Sequence, residues 1–173
     1  MENSFDGYLL MDIFVTVGMG RWPFDRLLKA VVPLCRSHTV VVQRGPSKVE
    51  VPSRTYDFLP FQEFLNYIER AQVVITHAGN TVRLVQRKGK VPIAMAREAR
   101  WGEMADDHQV EYLRYEEEHG RVVGLWEVTD LPRLVENHPA AEALTLKTRS
   151  LPEKMSGEVL AATLNSLCAK WVK

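Results

Sequence analysis

The sequence predicts an α/β fold in which a parallel sheet is covered by helices on both faces. Three observations carry that expectation. Short apolar, β-branched runs such as "DIFVTVG" and "QVVIT" alternate with segments whose apolar residues recur at helical spacing. The runs lack the strict apolar–polar alternation of a half-exposed sheet, which marks strands buried on both faces. The segments between them are long enough for right-handed crossover helices. A chain of 173 residues suits one such domain, 1–173, with a core over about 12–138 and a C-terminal helix over about 156–171.

Taken in order, "DIFVTVG" is the first strand. Phe24, Leu27, Leu28, Val31 and Cys35 then mark one face of a helix, with Pro23 suited to its first turn and Pro33 kinking or ending it. "HTVVVQRG" is the second strand, closed by Arg44-Gly45-Pro46, and "TYDFLP" a short third. Phe61, Phe64, Leu65 and Ile68 define the next helix. "QVVIT" is the fourth strand, followed from Asn80 by a short helix that Gly89 stops. "KVPIAMA" is the fifth, its proline near the start, where a missing N–H matters least. A longer helix is expected from about Asp106 to Gly120, its acids suiting the positive end of the dipole. "RVVGLW" is the last strand, and Leu160, Leu164, Leu167, Cys168 and Trp171 trace the terminal helix.

Lys plus Arg and Asp plus Glu both count 22, so no overall field draws the chain to nucleic acid. No run of about 18 apolar residues is present to span a membrane. The acidic start "MENSFDGYLL" lacks the basic and apolar regions of a signal peptide, so a cytoplasmic location is expected. Cys35 and Cys168 lie far apart and fit no metal spacing.

In such folds ligands sit beyond the carboxyl ends of the strands. That puts four loops, 18–22, 44–48, 77–81 and 97–109, on one rim. In "VVITHAGNTVRLV" the strand gives way to His77-Ala78-Gly79-Asn80 and then a helix. Free N–H groups and a positive dipole end would suit a phosphate, with Gly79 permitting close approach and Asn80 or Thr81 adding a donor. A tight turn with an N-cap gives the same pattern, and the turn by itself leaves both readings open. The first loop, "VGMGRWPF", has two glycines ahead of a helix. It is neither a Walker A loop nor a full dinucleotide fingerprint, which disfavours an ATPase or a nicotinamide enzyme. The charge-rich "AREARWGEMADDHQVEYL" offers Asp, His and Gln side chains of the kind that read hydroxyl groups. A metal site built from Asp106, Asp107, His108 and His77 fits poorly, because adjacent helical ligands point about 100° apart. No nucleophile elbow is present, and His38, His119 and His138 read as structural or exposed.

Together these motifs resemble the C-terminal, nucleotide-sugar-binding half of glycosyltransferase family 28. The shared residues are "VTVG" followed by "PFDRLLKAV", a Gln-x-Gly-Pro-Ser turn, "ITHAG", and an arginine followed by "GE" and "DDHQ". They run from about Asp12 to Leu125, and their order and spacing resemble most the small soluble subunits of split exopolysaccharide and N-glycan-type transferases. The resemblance implies the donor half of a GT-B enzyme, UDP-sugar dependent, inverting and without metal or other cofactor. It implies that His77, Gly79, Asn80 and Thr81 hold the diphosphate and that Phe58 and Leu59 flank uracil. Asp107, His108 and Gln109 would lie in the segment that contacts the donor sugar, Glu103 would be a further donor-binding residue, and Gly18 and Gly20 would lie on the glycine-rich loop. Where the family carries an acid for the ribose, this chain has Val85. The implied partners are a membrane-associated acceptor-binding subunit, which supplies the catalytic base and recruits the chain to the cytoplasmic face of the membrane, and a lipid-linked sugar acceptor. With about eleven residues before the first strand, that subunit's domain is expected on a separate chain, and Trp171 is expected on the docking surface. A non-catalytic nucleotide-sugar-binding or partner-binding pseudo-subunit is the alternative, favoured by Val85. A nucleotide-sugar epimerase would need a second domain.

Overall fold

The computed structural model describes residues 10–148, so the expected terminal helix, Cys168 and Trp171 lie outside the described residues. Six strands form one parallel sheet: β1 (Asp12–Thr16), β2 (Thr39–Gln43), β3 (Arg54–Tyr56), β4 (Val73–His77), β5 (Ile93–Met95) and β6 (Val123–Gly124). Their order is β3-β2-β1-β4-β5-β6. The chain therefore builds outward from β1 through β2 to β3, then returns to the other side of β1 for β4 and continues to β5 and β6. Ile13 pairs with Val40 on one side and Val73 on the other, which puts β1 at the centre.

Alternation along β1 sorts the core. Ile13 and Val15 point to one face, where Leu27, Leu28 and Val31 of α1 (Asp25–Val31) pack with Leu131 and Val135 of α5 (Leu131–Thr148). Phe14 points to the other and meets Phe64 and Ile68 of α2 (Phe61–Arg70) and Val85 of α3 (Asn80–Arg87). Farther along that face, Val82 of α3 and Leu113 of α4 (His108–Glu118) close over Ala94. Every strand in the expected series is present, covered on both faces.

Several boundaries differ from expectation. The third strand is Arg54–Tyr56 rather than "TYDFLP", and the last is reduced to Val123–Gly124. Helix α4 starts at His108, two residues after Asp106: the Asp106 carboxylate accepts from the His108 N–H at the helix start, and that of Asp107 from the Ala99 N–H ahead of it. After α1 the chain continues as a 3-10 turn, Val32–Arg36, with Pro33 in its first positions. Helix α5 is not among the elements expected from the sequence. Pro132 stands where its missing N–H is an orphan anyway, whereas Pro139 interrupts the ladder inside the helix. The helix holds because Leu131 and Val135 are fully buried and because His138 and Glu142 satisfy the chain ahead of β5. His138 Nε2 donates to the Val91 carbonyl at 2.7 Å, and Glu142 Oε1 accepts from the Val91 N–H at 3.0 Å.

Candidate functional site

The strand order reverses between β1 and β4, so the loops leaving their carboxyl ends part and leave a crevice. His77, the last residue of β4, stands in it. Its imidazole lies between Gly18 and Gly79, where a Cβ added to either glycine would come within 2.5 Å of the ring. Gly18 also has φ +80°, which disfavours a side chain on its own account; Gly79, at φ −148°, is ordinary extended backbone. Both glycines thus make room for a histidine. Burial, and secondarily the charge of Arg97, lowers the His77 pKa to about 4. The ring is neutral at pH 7, and one of its nitrogens can donate.

A cavity of about 320 Å³ opens beside this ring. Gly18, Met19 and Gly20 form one wall, Leu59, Phe61 and Phe64 another, and Asn80, Thr81 and Leu84 of α3 the third. The Asn80 and Thr81 N–H groups have no acceptor among the described residues, and they open the positive end of the α3 dipole. The crevice therefore combines an apolar slot with a small cluster of donors at one end.

Buried polar side chains fix the walls. Gln43, fully buried at the end of β2, donates to Thr16 Oγ1 at 3.1 Å and accepts from the Leu59 N–H at 3.0 Å. Thr16 Oγ1 also accepts from the Gly18 N–H. Ser47 Oγ, in the Gln-x-Gly-Pro-Ser turn, accepts from the Phe24 N–H at 2.7 Å and so anchors the entry to α1. Arg97, 3% exposed, reaches the Val17, Trp22, Pro23 and Glu103 carbonyls and lies 4.7 Å over the Phe24 ring. Gln43 and Arg97 are missing from the sequence-derived site. A glutamine inside an apolar run signals a buried polar partner, and that signal was available; the arginine lies in a rim segment whose Asp, His and Gln side chains drew the site assignment instead.

The predicted residues divide. Gly18, Gly20, Leu59, His77, Asn80 and Thr81 line the cavity, with Gly79 against its histidine. Phe58 is 53% exposed and lies beside Gly45, outside the lining. The Leu59 N–H, expected near a base, is already taken by Gln43. The 97–109 residues are absent from the lining and bond to one another and to α1. Glu103 takes both ends of the Arg26 guanidinium, at 3.0 and 2.8 Å, and stands on the wall of a larger, more open groove of about 700 Å³ along α1. Asp107 Oδ1 accepts from the Ala99 N–H, and His108 pairs with Asp106 at the surface. Gln109 Oε1 accepts from the Arg97 N–H, so that oxygen is committed. Val85 is fully buried in the cluster of Phe14 and Phe64 and is absent from the cavity lining, and Gln86 turns to Glu116 and the Arg121 carbonyl. Trp101 and Trp126 are exposed. Among the described residues no group of three or more His, Cys, Asp or Glu side chains gathers as a metal site requires, and no helix is long and apolar enough to cross a membrane.

No protein-family model matches the chain, and no curated protein matches it in sequence. Among solved structures the chain is similar to Spinosyn Forosaminyltransferase SpnP, with 17% sequence identity and a TM-score of 0.59 over 91% of this chain and 44% of that one. The chain thus spans less than half the length of the protein it resembles. The likeness bears on the fold, an α/β Rossmann-like sheet shared with a glycosyltransferase.

Proposed function

We propose that this chain is the soluble donor-binding subunit of a split, inverting glycosyltransferase. It takes a UDP-sugar and, with a membrane-associated partner, passes the sugar to a lipid-linked acceptor in exopolysaccharide or capsule synthesis. The observation that supports this best is the cavity at the β1–β4 reversal, walled by the glycine loop and by the unpaired N–H groups of α3. Such a helix start is a ready anion site. A diphosphate placed against Asn80 and Thr81 would leave the base to the apolar wall of Leu59, Phe61 and Phe64. Charge developing on the leaving diphosphate would meet fixed backbone donors and a neutral His77 in place of a metal. The four sequence motifs shared with family 28, and the fold shared with a forosaminyltransferase at low identity, point the same way.

A second reading, a pseudo-subunit that binds nucleotide-sugar or a partner without turnover, is favoured by Val85, whose burial against Phe14 leaves no acid at the expected ribose position. Calorimetric titration of the purified chain with UDP and a panel of UDP-sugars, with EDTA present, tests the main proposal. Saturable binding of UDP and at least one UDP-sugar is expected. Absence of binding to every nucleotide tried would overturn it.

A further inference from the structure

Arg97 has more hydrogen-bond partners in the loops around the crevice than any residue expected there from the sequence. One guanidinium nitrogen donates to the Trp22 and Pro23 carbonyls, each at 2.9 Å, and to Glu103 O at 3.3 Å; the other donates to Val17 O at 2.6 Å. Val17 precedes Gly18, and Trp22 and Pro23 lead out of the same loop, so a single side chain holds both ends of the glycine wall. These acceptors are carbonyls. The nearby Glu103 carboxylate is occupied with Arg26 and the Glu98 N–H. The cation donates to neutral oxygens, with the Glu103 charge near enough to offset part of its burial, in a place where a charge is costly unless its hydrogen bonds are made.

We propose that Arg97 is the positioning residue of this site, fixing the 17–23 loop against the crevice and supplying a positive field that favours a phosphate-bearing ligand beside His77. The inference rests on the UDP-sugar reading above for the ligand, and on the hydrogen bonds alone for the loop. The same field acts on the imidazole: Arg97 is the second cause, after burial, of the lowered His77 pKa. Arg97 itself, lowered by burial to about 10, remains a cation at neutral pH. Lysine would keep the charge but lacks the planar fork that reaches Val17 and Trp22 together.

The experiment compares the full chain with Arg97→Lys and Arg97→Met, using UDP as the probe and the His77 Cε1–H signal as an NMR reporter. The expected result is a loss of UDP affinity of tenfold or more in both variants. His77 should titrate near its wild-type pH in Arg97→Lys and at a higher pH in Arg97→Met. Folded variants that bind UDP within twofold of wild type, with His77 titrating unchanged in both, would overturn the proposal. So would unfolding of both variants, which would make Arg97 a residue of the fold and not of the site. If the wild-type chain binds neither UDP nor any UDP-sugar, the donor-subunit reading falls. The His77 titration then still decides the electrostatic role: a higher titration in Arg97→Met supports it, and no change overturns it.

Discussion

His77 couples the site to pH. Its pKa in the folded chain, about 4, lies below the ordinary value near 6.5, so the unfolded chain binds the proton more readily between those limits. The stability attached to His77 is therefore complete above about pH 6.5 and is lost as pH falls toward 4, by about 3 kcal/mol in all. Urea unfolding at pH 7 and pH 4.5 should show a smaller pH dependence in His77→Gln than in the wild type; equal dependence would refute the assignment. The two flanking glycines differ in kind. Gly79→Ala should destabilise the chain through contact with the ring alone, so His77→Ala should make the same substitution nearly neutral. Gly18→Ala should stay costly by about 1 kcal/mol in that background, because φ +80° strains any side chain. Thermal melts of the single and double variants measure both outcomes.

Among elements, α3 does the most and explains most of the difference between sequence and structure. Its Thr81 and Leu84 reach the cavity, its Val85 enters the core with Phe14, and its Gln86 crosses to Glu116 of α4. Val85→Glu, which places there the acid expected from the resemblance to family 28, should therefore bury a carboxylate without partners. A loss of more than about 3 kcal/mol is expected in chemical denaturation. A folded Val85→Glu chain that bound UDP more tightly would show instead that this position reaches the ribose. The strands were legible because "DIFVT" and "VVIT" are dense in β-branched residues, and the turn at His77 because glycine and asparagine punctuate it. Helix α5 was not, since Pro132 and Pro139 broke the local pattern, and what holds it is a tertiary exchange between Val91, His138 and Glu142. The cavity lining around Gly18, Leu59 and Thr81 could be read from turn chemistry. The inward commitments of Glu103 and Gln109 could not, because a charged loop and a braced one have the same composition.

At the scale of the whole molecule, the described residues supply one Rossmann-like sheet, and the chain corresponds to 44% of the forosaminyltransferase it resembles. Under the donor-subunit reading, the acceptor and the base come from elsewhere. The purified chain given UDP-sugar and membranes should then transfer no sugar, and co-expression with its membrane-associated partner should restore turnover. Efficient transfer by the chain alone to a soluble acceptor would sink the split arrangement. Radiolabelled sugar incorporated into lipid is the measurement.

The central position of β1 also sets a timetable for biosynthesis. Its first neighbour is β2, where Ile13 meets Val40; its second is β4, where the same residue meets Val73. At ribosomal rates of about 5–20 residues per second, the second neighbour emerges on the order of a few seconds after the first. Throughout that interval the nascent β1–β2 pair presents a bare apolar edge, of the kind that recruits other strands. The crevice exists only once β4 has docked there. A chain stalled before Val73 would thus lack the site and leave that edge of β1 unpaired, an aggregation hazard in its place.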